Sequence, residues 1–202
     1  MPDAVAPLRE FIQAMTRLVS ETNDELRLLA QGRPLLARLI ANDAWLSRDF
    51  SALRTDRYAQ YLLHCDPLER FSIVSFVWGP GQKTPVHDHT VWGLVGVLRG
   101  AERCDEFRQQ EAKPVATGHH HVMQAGDIEA VSPALGDWHR VSHAWDDRAA
   151  VSIHVYGGNI GAVRRHRLDD RGTMIEFVSG YDSAVVPNLW DRSAAARARS
   201  AP

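Results

Sequence analysis

From Phe71 onward the sequence breaks into short apolar or alternating runs: FSIVSFVW, VWGLVGVL, HVMQ, IEAVS and AVSIHVY, separated by glycine, proline and aspartate. Runs of this length and spacing suit short strands rather than long helices, so this part of the chain reads as a β-sandwich or barrel. Gly79-Pro80-Gly81, Gln124-Ala125-Gly126-Asp127 and Tyr156-Gly157-Gly158-Asn159 supply the turns.

The first fifty residues have a different period. Pro7-Leu8-Arg9-Glu10 opens a segment whose apolar Phe11, Ile12, Met15, Leu18 and Val19 follow a helical spacing. Glu21 to Leu29 and Pro34 to Ile40 read as two further short helices, and Asp56 to His64 as a helical turn or the entry to a strand. A chain of 202 residues suffices for one core and is short for two ordinary domains. The expected organisation is therefore one domain, with a helical layer over 1–50, a barrel over 55–180 and a flexible, charged tail over 190–202.

Lys and Arg number 23 against 25 Asp and Glu, a net charge of −2 that gives no electrostatic basis for nucleic acid or an anionic membrane as partner. No basic segment followed by an apolar stretch marks a secretory signal, and no run approaches a membrane span. The two cysteines, Cys65 and Cys104, have no metal-type spacing and make no disulfide framework, which fits a reducing cytoplasm. A monomer or weak homo-oligomer is expected.

Histidine placement carries the chemistry. If residues 85–90 are extended, His87 and His89 face the same side, so two imidazoles from one segment can reach one metal ion. Gly136-Asp137-Trp138-His139 offers a third imidazole from a distant strand, with His143, four residues on, as the alternative. Three neutral nitrogen donors leave open positions on an octahedral ion, which suits a metal that must bind substrate and O2 together. The denser run His119-His120-His121 follows Thr117-Gly118 and reads as a turn without a metal role. His64, His143 and His166 read as structural or surface residues by default.

Gly81, His87, His89 and Gly100 stand at the spacing of the first cupin motif, with Gly93 where that motif has its glutamate. Gly126, Pro133, Gly136 and His139 resemble the second motif, with the Gly126–Pro133 and Pro133–Gly136 intervals each one residue longer than the motif's and His143 in place of the terminal asparagine. Loss of the glutamate and the phrase HDHTVWGLVGVLRGAE resemble the cysteine dioxygenase family over residues 55–170, in particular its bacterial branch, which includes 3-mercaptopropionate dioxygenases. The resemblance implies a mainly β fold, a jelly-roll-like cupin barrel under an N-terminal helical layer. It also implies an Fe(II)-dependent dioxygenase that adds both atoms of O2 to the sulfur of a small carboxylated thiol.

Residue by residue, the resemblance implies His87, His89 and His139 as iron ligands and Ser152, His154 and Tyr156 as a catalytic relay. The alternation of Ser152, His154 and Tyr156 with Val151, Ile153 and Val155 independently places the three polar groups on one face. Buried together, they are costly unless hydrogen-bonded to one another. Gly93 occupies the place of the cysteine that crosslinks to tyrosine in mammalian-type enzymes, so Tyr156 is expected to be free of a thioether. Gln60 falls where the mammalian type has its carboxylate-binding arginine. Arg165, nine residues after Tyr156, matches the arginine of the bacterial type and can clamp a carboxylate bidentately. Trp92 and Trp138 are candidate pocket walls. The competing readings are another metallocupin enzyme, an isomerase or carbon-cleaving dioxygenase, against which Gly93 argues, and a non-catalytic cupin sensor, in which a Ser–His–Tyr strand is hard to explain. Arg165 argues against cysteamine, and Gln60 with Gly93 favours 3-mercaptopropionate over L-cysteine.

Overall fold

In the computed structural model, which describes residues 4–111, 113–145 and 148–191, two helices cover one face of a five-stranded antiparallel sheet. Helix α1 (Ala6–Glu21) carries a proline in its first turn, where a missing N–H breaks no intrahelical bond. Its buried face is Leu8, Phe11, Ile12, Met15 and Leu18. Helix α2 (Glu25–Ile40) starts at Asp24, whose carboxylate accepts from the Arg27 N–H at 2.9 Å. It is one helix where the sequence suggests two, because α2 runs through Pro34. Proline removes a single intrahelical hydrogen bond. The buried stripe of Leu28, Leu29, Leu36, Leu39 and Ile40 continues on both sides of it and holds the helix to the sheet.

The sheet order is β1 (Ala59–Cys65), β2 (Ser72–Trp78), β8 (Ala150–Tyr156), β3 (Gly93–Arg99) and β6 (Ile128–Val131). The segment left open between helix and strand is therefore strand β1. Glycines let α2 lie close to β3: a Cβ at Gly32 would stand 2.9 Å from Leu94, and one at Gly96 would stand 3.0 Å from Ile40. A second sheet, β5 (Lys113–Gln124), β4 (Ala101–Gln110) and β7 (His139–His143), forms the opposite wall, and β9 (Arg165–Leu168) with β10 (Met174–Phe177) closes one end.

Two cores result. One lies between helices and sheet and takes Leu94, Leu98, Val151, Ile153 and Val155. The other lies inside the barrel and takes Val74, Phe76, Trp78, Val95, Val97 and Tyr156. Strand β8 pairs with β2 on one side and β3 on the other, so it is central and buried along its length. Its odd positions face the helices, and Ser152, His154 and Tyr156 face the interior. This is the jelly-roll-like barrel with a helical layer that the sequence implies. His119, His120 and His121 lie within strand β5, not in a turn. The strand accommodates Gly118, at φ +82°, opposite the irregularity in β4 between Asp105 and Phe107. Of the expected tail, residues 192–202 lie outside the described residues. No helix among the described residues is long and apolar enough to cross a membrane.

Candidate metal centre and pocket

The segment bearing His87 and His89 is stitched between two neighbours. The His87 N–H donates to His139 O at 2.9 Å, and the His139 N–H donates to His87 O at 3.1 Å. On its other side the segment bridges to β9 at Arg167, and Asp88 accepts from the His166 backbone N–H at 2.7 Å. The extended segment sends both histidines inward while Asp88 faces His166, as the period-2 reading requires.

His87, His89 and His139 converge, with potential ligand atoms all within 4.8 Å of one another and ring centroids 4.8–4.9 Å apart. They are 8%, 1% and 7% exposed. The structure brings in His139 and not His143, which sits further along β7 and accepts from the Trp145 N–H at 3.2 Å. Burial, then the neighbouring imidazoles, holds His87 and His89 well below the usual histidine range, and burial lowers His139 to about 4. All three are therefore neutral near pH 7, the form that ligates metal.

The fit to a metal ion rests on where the other ring nitrogens point. His87 Nδ1 lies 3.1 Å from Pro85 O, His139 Nδ1 3.6 Å from Cys104 Sγ, and His89 Nδ1 3.3 Å from the Asp137 carboxylate. Acceptors behind the rings are what metal-bound histidines use to fix tautomer and orientation. His139 Nε2 is buried with no hydrogen-bond partner, a state that a metal relieves, whereas His89 Nδ1 lies close to the Asp137 carboxylate without a formed hydrogen bond to it.

The interior face of β8 adds a hydrogen-bonded chain. Ser152 Oγ lies 2.8 Å from His154 Nε2, and His154 Nδ1 lies 2.8 Å from Tyr156 Oη. Burial lowers His154 to about 3 and raises the Tyr156 phenol above its ordinary value, so both are neutral across the physiological range. The Tyr156 ring stacks on His89 at 5.4 Å, which sets the chain against the metal centre. Gly93 makes room for it, since a Cβ there would stand 2.9 Å from the tyrosine ring.

A cavity of about 30 Å³ lies among these groups. Arg165 lines it and is 4% exposed. One guanidinium nitrogen donates to Ser179 Oγ at 2.8 Å, the guanidinium carbon lies 4.7 Å from the Phe177 ring centre, and Nε has no partner. Among the described residues no carboxylate pairs with it. Gln60 also lines the cavity, but its amide nitrogen donates to Gly180 O at 2.7 Å, so part of its capacity is already committed.

Several lining residues escaped the sequence reading. Tyr58 stacks on Trp78 at 4.8 Å and on Phe76 at 6.0 Å, and Phe177 and Ser179 reach in from beyond β9. Asp137 was findable, because it stands two residues from His139. Trp92 and Trp138 do not line the cavity. Trp92 packs against Gly157 in the helical-side core, where there is no room for a side chain, and Trp138 tilts against His166 at 6.5 Å. His121 meets Glu129 at 3.0 Å and shares a second potential ligand group with Cys104 and Glu129, which is open to solvent at its His and Glu members.

Residues 33–169 match the family described as cysteine dioxygenase type I. Among solved structures, the chain is similar to an RmlC-like cupin protein from Ralstonia eutropha, with 18% identity over 61% of this chain and 68% of that one, at a TM-score of 0.44. It is also similar to a conserved protein with a double-stranded β-helix domain from Klebsiella pneumoniae, with 18% identity over 56% of this chain and 84% of that one, at a TM-score of 0.46.

Proposed function

Because this chain belongs to the cysteine dioxygenase type I family, we propose that it is an Fe(II)-dependent thiol dioxygenase whose substrate is a small carboxylated thiol, 3-mercaptopropionate ahead of L-cysteine. The observation that carries the substrate class is Arg165, a buried cation at the cavity wall whose Nε has no partner and with which no carboxylate pairs among the described residues. An uncompensated buried charge is expensive, and a substrate carboxylate in a bidentate clamp would compensate it.

His87, His89 and His139 would hold the iron. Bound there, Fe(II) would supply open coordination positions and the redox chemistry that O2 activation needs. The overall change balances without a further reductant: the thiol sulfur loses four electrons, O2 gains them, and both oxygen atoms end on sulfur as the sulfinic acid. Arg165 orients the carboxylate end, and Tyr58, Phe76 and Trp78 wall the cavity and exclude water. The Tyr156 hydroxyl, held by His154, offers a neutral hydrogen-bonding group beside His89. No aspartate or glutamate lines the cavity among the described residues, so the ammonium group of L-cysteine would lie near Arg165 without an anion to meet it. This favours a substrate lacking the amine.

The test is O2 uptake by the Fe(II)-loaded protein with 3-mercaptopropionate, L-cysteine and cysteamine, with the sulfinate identified. Coupled uptake is expected, in that order of kcat/KM. Arg165→Gln should lower kcat/KM for the carboxylated thiols about 100-fold, given about 1.5–3 kcal/mol for each charge-assisted hydrogen bond. Fully iron-loaded protein that consumes no O2 with any of the three thiols would overturn the proposal.

A further inference from the structure

The Ser152–His154–Tyr156 chain does not end at Ser152. Glu102, the second residue of β4, is 2% exposed and faces the interior from the opposite wall. Ser152 and Trp78 are the polar groups that act on its carboxyl, both favouring the ionised form against burial, and the Trp78 Nε1–H itself donates to Ser152 Oγ at 3.3 Å. Glu102 Oε1 has no hydrogen-bond partner, and no lysine or arginine pairs with the carboxyl among the described residues. The mechanism outlined above leaves this buried acid unused.

We propose that Glu102 is the fourth member of the chain, a positioning residue that stores one proton and thereby sets the direction of every hydrogen bond from Ser152 to the Tyr156 hydroxyl. The proposal rests on the reading that the cavity holds substrate. The donor inventory of the four groups permits two consistent states. With Glu102 protonated, it donates to Ser152, Ser152 donates to His154 Nε2, and His154 Nδ1–H donates to Tyr156. The Tyr156 proton is then free to point into the cavity. With Glu102 ionised, Ser152 donates to the carboxylate, His154 Nε2–H donates to Ser152, and Tyr156 donates to His154 Nδ1.

The two states differ by one proton and by the tautomer of His154. If a proton leaves Tyr156 for the cavity, His154 replaces it from Nδ1, Ser152 reprotonates Nε2, and Glu102 reprotonates Ser152. Each O–H or N–H bond that breaks is matched by one that forms, and the charge left behind sits on Glu102 rather than as a tyrosinate. The His154 imidazole stays neutral throughout, which its burial requires. Burial raises the Glu102 carboxyl to about 7, so both states are accessible near neutral pH. The ionisable groups facing Glu102 are Cys104 on its own strand, His143 opposite it on β7, and His154 and Tyr156 beyond Ser152 on β8. From β2 and β5 it meets Trp78 and Met123, neither of which titrates.

The experiment is nitrogen NMR on the full-length chain, labelled at histidine and loaded with diamagnetic Zn(II), between pH 5.5 and 8.5. His154 should pass from the Nδ1–H to the Nε2–H tautomer as pH rises, with one midpoint. In Glu102→Gln the amide cannot ionise, so the tautomer ratio should not change with pH. In Ser152→Ala the chain is cut, so the ratio should again be constant although Glu102 remains. A wild-type His154 tautomer that ignores pH, or one that switches equally in Glu102→Gln, would overturn the proposal. With iron and thiol, Glu102→Gln should lower kcat at least about tenfold while KM for the thiol stays within about twofold, and one limb of the kcat–pH profile should disappear. Absence of thiol oxidation in the wild type would sink the functional reading alone, because the tautomer measurement needs no turnover.

Discussion

Two groups of three histidines occupy one barrel, and the denser group is not the candidate metal centre. His119, His120 and His121 are consecutive on β5, so their side chains alternate between faces; the first two are exposed and the third is half-buried against Glu129. His87, His89 and His139 come from segments some fifty residues apart, yet they point into one buried space with Pro85 O, the Asp137 carboxylate and Cys104 Sγ close behind their rings. Density along the chain is therefore a poor guide to a metal centre. Convergence from separate strands, desolvation that keeps the rings neutral, and outer partners that fix the tautomers distinguish one group from the other.

Removing one ligand breaks the comparison most directly. His89→Ala should lower metal affinity by more than about 100-fold, since loss of an outer partner alone typically costs about 10–100-fold. Metal content after dialysis and thiol-dependent O2 uptake should both collapse; retention of stoichiometric metal would remove the triad from consideration. The next effect is that of the outer partner. Asp137 accepts from the His89 backbone N–H at 2.8 Å and stands 3.3 Å from its ring nitrogen. Asp137→Ala should weaken metal binding by about 10–100-fold in a competition titration with a chelator, while the fold is retained. An unchanged affinity would show that the acceptors behind the rings are incidental.

The contrast also explains how much of the site was legible in the sequence. The HxH spacing, the alternation along Val151 to Tyr156 and the position of Arg165 were readable because a strand has one simple period, and that period survives folding. The polar side of β8 could have been a wet edge; only the pairing with both β2 and β3 decides it. Glu102 was not readable. In AERCDEF both faces of β4 are polar, so nothing in the pattern says that Glu102 and Cys104 face inward while Arg103 pairs with Asp105 at the surface. Tyr58, Phe177 and Ser179 reach the cavity through the closing of the barrel end, a tertiary fact without a local signature. Helix α2 shows the opposite failure. Pro34 is a strong local stop signal, and packing on β3 overrides it.

A carboxyl provides the third test, since Glu102 is interior whereas Glu106, on the same strand, is exposed. Burial raises Glu102 from 4.5 to about 7, so the folded state holds this proton more tightly than the unfolded state does. The sign follows: its contribution is harmless below the unfolded value and becomes unfavourable as pH rises towards the folded value. Between pH 5.5 and 6.5 the wild type should therefore lose about 1 kcal/mol relative to Glu102→Gln. Taking the difference between the two proteins cancels the histidines, whose depressed values act in the opposite sense, destabilising the fold as pH falls below about 6.5. Denaturant titrations at the two pH values measure the shift, and parallel pH dependences would mean that Glu102 is solvated.

The smallest effect belongs to the dense histidine run. His120 is exposed on β5, and its neighbour across β4 is Asp105, which is engaged by Arg103 and Arg140. Its imidazole gives up little hydration on folding, so truncation leaves neither a cavity nor an unpaired buried donor. His120→Ala should change unfolding free energy by no more than about 0.5 kcal/mol and leave metal content and O2 uptake at wild-type values. Denaturant midpoints and metal analysis on the same preparation check both. A metal loss comparable to that of His89→Ala would invert the comparison, because it would place a ligand on the solvent face of a strand.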